Sequence, residues 1–567
     1  MGKILRELYS ILTERQRRRM LALFFMMLVS SVLEVMGIGL VIPYIAMVTE
    51  PEIVMSKPIV TSLMAVMNIS EARDFLIAMT VLLICVFVAK ELVYYILGVR
   101  QSRFVNQCRL ETSKRAMASY LNLGYEDYLE TSSSAIITVL SSHLFRTHDL
   151  MFSLLTAAMH CVMVMVMSVF VFAVDWKLAL LLLMGVCAVI LFVQRLVRPK
   201  VAYWGKMVSN ASTQGNKVVH EAFSCKKEVD VYNHADSFYE SFARCSEAVA
   251  NGDVQKQKYN LAGRVTAELC CVMAILLFVL FKIVSGTGIA SILGVLSAFT
   301  LVAVRMVPSV TAIINVFQSA VFYAPSVHAV RSLLDKINQS KDVCVESPSS
   351  IVSMSRNLIF KGVSYRYRGM DKDVISNMSF TIMKGQRVGV VGETGKGKTT
   401  LVNLMLGLLK PTEGEVLIDG ASVSCCTGRL WLNVGYVPQD CALLDTSVYE
   451  NICFGRDVTV DEFWTVLRMA GAYDFVKAMP EQEHTVIGQN GFRLSGGQRQ
   501  RLGIARALVG APTLLVFDEA TSALDNQTES AVIDTIYRLG RDYTIIMVAH
   551  RLSTLSGCDT ILNLDEV

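Results

Sequence analysis

Residues 387–405 read RVGVVGETGKGKTTLVNLM, and this stretch decides the fold of the C-terminal part of the chain. The apolar run Arg387–Val391 predicts a buried strand, and the run Thr400–Leu408 predicts a helix. Between them lies the pattern G-x-x-x-x-G-K-[ST], whose glycines let backbone N–H groups close around phosphate oxygens at a helix N-terminus. An α/β nucleotide-binding domain of the P-loop type is therefore predicted, with its phosphate-binding residues at Gly392, Glu393, Thr394, Gly395, Lys396, Gly397, Lys398, Thr399 and Thr400.

Two kinds of side chain complete the predicted site. Lys398 is placed to reach the β- and γ-phosphates, and Thr399 is placed to bind Mg²⁺. The run Leu514–Glu519 is an apolar strand that ends in two acids. Asp518 fits the metal-binding acid of such sites, and Glu519 fits the base that polarises the attacking water. ATP and Mg²⁺ are the ligands that this pattern predicts.

The composition predicts a membrane protein. The chain is 53% hydrophobic and only 18% charged, whereas soluble proteins average about 25% charged residues. The apolar excess lies before roughly residue 320, where about six stretches reach the roughly 20 residues that a span needs. These predicted spans are Leu21–Val48, Phe75–Val99, Met151–Val174, Leu178–Leu196, Tyr259–Val284 and Ser291–Phe317.

The distribution of charge predicts the topology. Long basic links follow the second and fourth spans, and basic loops lie in the cytoplasm, so an even number of spans leaves both termini inside. The N-terminal apolar run is too long for a cleavable signal peptide. A net charge of +4 argues against a nucleic-acid partner. The 14 cysteines show no metal-binding spacing and are expected to be small buried hydrophobic residues.

These patterns divide the chain into three parts. We expect a helical transmembrane domain at 1–320, a linker at 321–355 and the nucleotide-binding domain at 356–567. The outer link contains a short apolar stretch, Ile59–Met67, which is either an interfacial helix or an ordinary loop.

Three cations lie within predicted spans, at Lys90, Arg264 and Arg305. Charges are costly in lipid and normally face a cavity or a partner. One interpretation is a cationic wall for an anionic substrate. The alternative is snorkelling or internal ion pairing, for instance with Glu91 or Glu268.

The sequence Leu494-Ser495-Gly496-Gly497-Gln498 matches the signature of ATP-binding cassette (ABC) proteins, and six spans before one cassette resemble the exporter half-transporters. The resemblance implies that Tyr367 stacks on adenine, that Gln439 touches Mg²⁺ and that His550 senses the γ-phosphate. It also implies that Ser522–Asp525 crosses to a partner cassette. Because Glu519 keeps the identity of the general base, the site looks hydrolytic.

In this family the signature of one cassette completes the phosphate site of another, so the resemblance implies a homodimer in which Ser495–Gln498 contact the partner's ATP. Segments Gly124–Ile136 and His220–Val231 look like the helices that rest on the cassettes. Lys396 departs from the family, which usually has a small residue there, and it could crowd the dimer interface or add a cation near the phosphates.

Three local stretches resemble bacterial flippases of lipid-linked oligosaccharides: Ser31–Tyr44, Tyr120–Glu126 and Arg305–Ser309. The resemblance implies a chain of the bacterial inner membrane that moves a polyprenyl-pyrophosphate glycan outward, with membrane lipids around it. An anionic head would suit arginine side chains. An exporter of lipids or hydrophobic drugs is the alternative within this class. A cassette protein that gates or senses without pumping is a different class, and Glu519 with an intact signature argues against it.

Overall fold

The computed structural model describes residues 2–49, 72–174, 180, 184–185, 191–284, 289–341, 353–423, 433–488, 491–520, 526–549 and 551–565. The chain divides into two compact units. The first comprises Met1–Leu121 and Thr131–Ile337, and the second comprises Asn122–Glu130 and Asn338–Val567.

The first unit is built from helices. In chain order, the helices before residue 342 are α1 Gly2–Ile11, α2 Glu14–Thr49, α3 Ala72–Leu121, α4 Tyr125–Glu130, α5 Ser133–Thr138, α6 Leu144–Val174, α7 Arg198–Ser224, α8 Lys226–Val231, α9 Ala235–Val284 and α10 Ile289–Lys341, with π-helical turns at Val139–His143 and Val193–Val197. All of these belong to the first unit except α4, which packs with the second, and the end of α10.

Long apolar helices confirm the membrane half. Within the part of the chain that the structure describes, four helical stretches are long and apolar enough to cross a membrane: Arg73–Leu121, Ser133–Val169, Ala235–Phe281 and Met306–Lys336. Each overlaps one predicted span. The predicted span Leu21–Val48 lies within α2. The remaining one, Leu178–Leu196, lies mostly outside the described residues, as does Ile59–Met67.

Helix α9 exposes a continuous apolar surface in the single chain. Five large apolar side chains on this helix are each more than half exposed in the single chain: Leu269, Val272, Leu276, Leu280 and Ile283. Such a continuous apolar surface is unfavourable in water and marks a surface that contacts lipid or another protein.

The interior of the first unit is closely packed. A Cβ atom at Gly205 of α7 would lie 2.4 Å from the carbonyl oxygen of Phe322 on α10. Only glycine permits these two backbones to approach so closely. Phe322, Val201 and Val208 are buried in the same apolar cluster.

The predicted linker at 321–355 begins later than expected. Helix α10 continues to Lys341, and the boundary between the two units falls at residues 337 and 338. Val327, Val330 and Leu334 recur at helical spacing and are buried in an apolar cluster, which holds this segment in the helix. Residues 342–352 lie outside the described part of the chain.

The second unit contains both sheets. Its elements are β1 Asn357–Tyr365, β2 Ile375–Met383, β3 Arg387–Val391, α11 Lys398–Met405, β4 Glu413–Ile418, β5 Ala421–Ser422, β6 Val434–Val437, α12 Val448–Cys453, α13 Val460–Met469, α14 Tyr473–Lys477, α15 Gly496–Leu508, β7 Leu514–Asp518, α16 Asn526–Arg538, β8 Thr544–Val548 and β9 Thr560–Asn563. Among the described residues, the order is β2-β1-β4-β5 in an antiparallel sheet and β6-β7-β8-β3-β9 in a parallel sheet.

The parallel sheet positions the predicted site. Strands β3 and β7 both pair with β8, so their carboxyl ends lie at the same edge of the sheet. Ligands of open parallel sheets bind at this edge. The phosphate-loop glycine Gly392 follows β3, and Asp518 ends β7.

Candidate active site

The phosphate loop has the backbone that its glycines predict. Strand β3 is observed over the predicted residues, and α11 begins at Lys398, immediately after the loop. Gly397 has a φ of +90° and caps α11. A Cβ atom there would lie 2.9 Å from Cγ1 of Val374, so both conformation and space require glycine. The N-terminus of α11 thus opens onto the loop and can bind an anion.

Lys398 lies over this loop. Its ammonium donates hydrogen bonds to the carbonyl oxygens of Gly392 at 2.7 Å and Glu393 at 3.3 Å. The side chain is only 6% exposed, and its Nζ lies 4.0 Å from a carboxylate oxygen of Glu519. A buried ammonium held by neutral carbonyls is well placed to exchange them for phosphate oxygens, which bind it more strongly.

Asp518 is a buried carboxylate at the end of β7. Burial and the charge of Glu519 raise its pKa, and a hydrogen bond donated by Tyr436 at 3.5 Å opposes that rise. A buried acid with few donors around it suits a cation. Thr399, the other predicted metal ligand on this side, is exposed beside Lys398. Carboxylate and hydroxyl oxygens are ligands that Mg²⁺ prefers, so these residues fit the metal.

Glu519 has an unusual backbone. Its φ is +49°, and its N–H donates to the carbonyl oxygen of Val548 at 3.0 Å on the neighbouring strand. A non-glycine residue in the left-handed region is uncommon and marks functional sites. No pattern in the sequence reveals this conformation. The turn places a carboxylate oxygen of Glu519 4.0 Å from the ammonium of Lys398, and the role of Glu519 as the base stays a prediction.

Gln439 lies two residues beyond β6, the strand that pairs with β7. The residue is exposed. Val437 of β6 pairs with Phe517 of β7. Gln439 comes shortly after Val437 and Asp518 comes directly after Phe517, so both lie at the same sheet edge. Gln439 lies two residues beyond its strand, whereas Asp518 is the last residue of β7, and the contact of Gln439 with Mg²⁺ stays a prediction.

Tyr367, the predicted adenine-stacking residue, lies against the start of α11. Its hydroxyl is 3.1 Å from Oγ1 of Thr400, the buried third residue of α11. Its ring meets the ring of Tyr365 edge-on, with centroids 5.0 Å apart. An aromatic ring anchored at the start of α11 suits stacking on a base.

Arg368 was not expected from the sequence. It pairs with Asp127 at 2.7 Å and with Glu126 at 3.7 Å, and both acids belong to α4. Hydrogen bonding to Asp127 and the charge of Glu126 raise the pKa of Arg368. The Tyr365 hydroxyl also donates to Glu126 at 3.4 Å. These contacts attach α4 to the residues on either side of Tyr367, and the predicted role of the segment that begins at Gly124 stays a prediction.

The signature lies at the start of α15. Ser495 caps this helix by accepting from the Gln498 N–H at 3.3 Å, and the Gln498 side chain accepts from the Ser495 N–H at 2.9 Å. Gly496 and Gly497 form the first turn, and Ser495 is exposed. Leu494 packs in one apolar cluster of the unit, whereas β3 and α11 pack in another. The signature therefore presents a second helix N-terminus, separate from the one at the phosphate loop.

Some predicted residues lie outside the described part of the chain. His550 and Ser522–Asp525 are among them. The backbone of Arg305 lies in α10, but its side chain is not described. Glu393, Thr394, Gly395 and Lys396 are exposed on the loop, so Lys396 remains available to nucleotide or partner.

The two other membrane cations have acidic partners. Lys90 is 5% exposed and pairs with Glu91 at 3.1 Å. Arg264 pairs with Glu268 at 2.8 Å, one helical turn away. These are the ion pairs named above as the alternative to a cationic wall, and they neutralise both positive charges.

Known proteins are similar in sequence to this chain. Residues 375–522 match the family described as ABC transporter. The ATP-dependent lipid A-core flippase of Methylobacillus flagellatus is 28% identical over 473 residues, 82% of this chain and 78% of that protein. The flippase of the same name from Chromobacterium violaceum is 32% identical over 68% of this chain and 66% of that protein.

A toxin exporter is similar to a smaller part of this chain. The leukotoxin export ATP-binding protein LtxB of Aggregatibacter actinomycetemcomitans is 34% identical over 48% of this chain, which spans only 38% of that protein. A solved bacterial Atm1-family ABC exporter with ATP bound shares the fold, with a TM-score of 0.77, 21% identity and coverage of 97% of this chain and 94% of that one.

One conclusion follows from the long apolar helices, from the phosphate loop with Lys398 beside Glu519 and from the extent of these similarities. The chain belongs to the ATP-binding cassette transporters and is a half-transporter of the exporter type, in which ATP hydrolysis drives transport across a membrane.

Proposed function

We propose that the chain is a flippase that moves a lipid-linked oligosaccharide, a polyprenyl-pyrophosphate glycan, from the cytoplasmic to the outer leaflet of a bacterial inner membrane. The observation that carries the proposal is the extent of similarity to lipid flippases. Relatives named lipid A-core flippases match 82% and 68% of the chain, and so include much of the membrane half. The leukotoxin exporter matches 48%. Lipid is therefore favoured over protein as the substrate class.

Arg305 is the proposed contact for the pyrophosphate. It lies in the apolar first half of α10, three residues before Pro308. A charge in such a segment requires a partner, and the planar guanidinium suits phosphate oxygens. Lys90 and Arg264 contribute less, because Glu91 and Glu268 already neutralise them.

The same ion pairs favour a second candidate, an exporter of ordinary lipids or hydrophobic drugs. Without free charge at Lys90 and Arg264, the described part of the membrane unit presents less positive potential than the sequence alone suggested. A substrate without phosphate would suit such a surface, and Arg305 would then serve packing rather than binding.

The proposed active unit is a homodimer that binds ATP and Mg²⁺. Its support is the exposed Ser495 at the start of α15, a helix N-terminus that can contact the phosphates of a partner's nucleotide. Further support comes from the loop around α8, where Phe223, Val231 and Tyr232 are 78%, 69% and 76% exposed in the single chain. Apolar patches of this kind bind partners. In the proposed topology both termini are cytoplasmic.

Reconstituted vesicles test the substrate. A fluorescent polyprenyl-pyrophosphate glycan, a neutral glycolipid with the same tail and a fluorescent phospholipid are compared with ATP present, and the Glu519→Gln variant gives the background. We expect transport of the pyrophosphate glycan alone. Arg305→Ala should abolish this transport with ATPase activity retained, and Arg305→Lys should restore part of it.

Arg264→Ala is the matched control, because it removes a membrane arginine that already has a partner. Equal transport of the neutral glycolipid, or normal transport by Arg305→Ala, would favour the second candidate.

A further inference from the structure

One peptide group of the phosphate loop is held at both ends. The carbonyl oxygen of Gly392 accepts a hydrogen bond from the ammonium of Lys398 at 2.7 Å. The N–H of Glu393, on the other side of the same peptide bond, donates to both carboxylate oxygens of Asp565, at 3.1 and 3.2 Å. A cation and an anion therefore fix the direction of this peptide plane from opposite sides.

Strand β9 brings Asp565 to this position. Asn563 pairs with Val391 in the parallel ladder, and the Leu564 N–H donates to the Val391 carbonyl oxygen at 2.9 Å. Leu564 is buried, and a Cβ atom at Gly392 would lie 3.1 Å from its Cβ. The chain after β9 thus runs along the first turn of the phosphate loop.

Nucleotide binding affects the contacts of Lys398 and Asp565 differently. Lys398 must turn its ammonium towards the phosphates, and the Gly392 carbonyl then loses its donor. Glycine offers little resistance to rotation of the freed peptide plane. The bond to Asp565 does not involve Lys398 and persists, so it can preserve the plane. Hydrogen bonds to a carboxylate are stronger than neutral ones, although the exposure of Asp565 weakens this one.

We propose that Asp565 is a positioning residue of the ATP site, which fixes the Gly392–Glu393 peptide so that the phosphate loop keeps its shape as Lys398 moves to phosphate. The phosphate-loop motif, the acidic pair Asp518–Glu519 and the signature assign no role to Asp565. It touches neither nucleotide nor metal in this role, and it acts through the backbone of the loop.

Two variants and a control test the proposal in the full-length protein. Asp565→Ala removes the acceptor, and Asp565→Asn keeps an acceptor oxygen without the charge. Asp534→Ala, which removes an exposed carboxylate of α16, is the matched control. The measurements are KM and kcat for ATP, equilibrium binding of a fluorescent ATP analogue, and amide hydrogen exchange of a peptide covering residues 390–397 in nucleotide-free protein.

For Asp565→Ala we expect faster exchange in this peptide, weaker analogue binding and a KM raised by about tenfold, with kcat changed by less than about twofold. Asp565→Asn should lie between Ala and the unaltered protein, and Asp534→Ala should change nothing. Normal KM and exchange in Asp565→Ala would overturn the proposal. So would a fall in kcat alone, or tighter ATP binding in both variants, which would mean that the carboxylate only repels phosphate. If Asp565→Ala folds poorly, the amide hydrogen exchange and the KM for ATP of Asp565→Asn decide whether the proposal holds.

Discussion

At the scale of single residues, Glu519 combines a strained backbone with an acid beside the phosphate lysine. The left-handed conformation at φ +49° costs a non-glycine residue free energy, about 1–3 kcal/mol at such positions, and persists only where the surrounding structure enforces it. Here the Glu519 N–H donates to the Val548 carbonyl oxygen at 3.0 Å, which ties this residue to the neighbouring strand. The strain is explained if the carboxylate must point at the reacting water.

Glu519→Gln should abolish most turnover. Gln has the same shape but cannot accept a proton, and proton transfer contributes about 10²–10⁴-fold to catalysis. ATPase activity should fall by that factor, while binding of a fluorescent ATP analogue stays close to normal. Activity near that of the unaltered protein would show that another group is the base.

Asp518 gives a prediction about stability and pH. Its pKa is raised in the folded protein by burial and by Glu519, so the folded state binds more protons than the unfolded state between the ordinary and the raised value. Stability therefore falls as the pH rises through this window. Asp518→Asn cannot ionise, and the nucleotide-free variant should unfold at a higher temperature than the unaltered protein at pH 7.5.

The difference in unfolding temperature should narrow as the pH falls through the raised pKa of folded Asp518 towards the ordinary value of 3.8. Thermal unfolding of both proteins over a series of pH values from neutral towards that ordinary value measures it, and a difference that stays equal throughout would exclude ionisation as the cause. Mg²⁺-dependent ATPase activity should be lost in the same variant, because the neutral amide lacks the negative charge with which a carboxylate binds this ion.

At the scale of elements, local sequence patterns predicted the strands and helices that form from residues close together in the chain. Strand β3 and the acid-terminated strand β7 are found where hydrophobic runs placed them, and α11 starts two residues before the predicted Thr400. The pair Arg368–Asp127 joins residues 241 positions apart, and no periodicity or motif connects them. The pairing of Lys90 with Glu91 could only be offered as an alternative, because sequence does not reveal which way a side chain points.

The contact between α4 and Arg368 yields a prediction about this element. Arg368→Glu replaces a cation with a third acid beside Glu126 and Asp127, and Tyr367 is the preceding residue in the chain. Exposed ion pairs contribute only about 0–1 kcal/mol, so we expect KM for ATP to rise by up to about fivefold, with little change in stability.

Charge reversal on both sides checks this prediction. Adding Asp127→Arg to Arg368→Glu should return KM towards its original value. Arg366→Ala is the matched control, since Arg366 pairs with Asp373 inside the cassette at 2.8 Å. A KM that rises as much in the control, or a double variant that is worse than either single one, would contradict a role for this contact.

At the scale of the whole molecule, helix length sets the architecture. Helices α3 and α9 have 50 residues each. At about 1.5 Å per residue each is about 75 Å long, more than twice the roughly 30 Å of a bilayer's hydrocarbon core. Long polar extensions beyond the membrane are therefore built into both helices. The apolar runs alone predicted the spans, but they did not reveal that each helix continues without a break.

The dimer gives the last prediction. In the proposed homodimer each ATP site combines Lys398 of one chain with Ser495 of the other. Lys398→Ala should disable the phosphate loop, and Ser495→Arg should place a bulky cation where the partner's phosphates must bind. Homodimers of either variant then carry a defect in both sites, and each should lose most ATPase activity.

Mixing the two variants tests whether each ATP site is shared between two chains or lies within one chain. In a mixed dimer, one composite site contains both defects and the other contains neither, so part of the activity should return as mixed dimers form. Random assembly makes about half of the dimers mixed, since two equally abundant chains pair without preference, and symmetry makes the dimer the expected assembly. Sites confined to single chains would leave a defect in every site, and mixing would restore nothing. Separately tagged chains, purified through both tags, should therefore show ATPase activity that neither parent variant has.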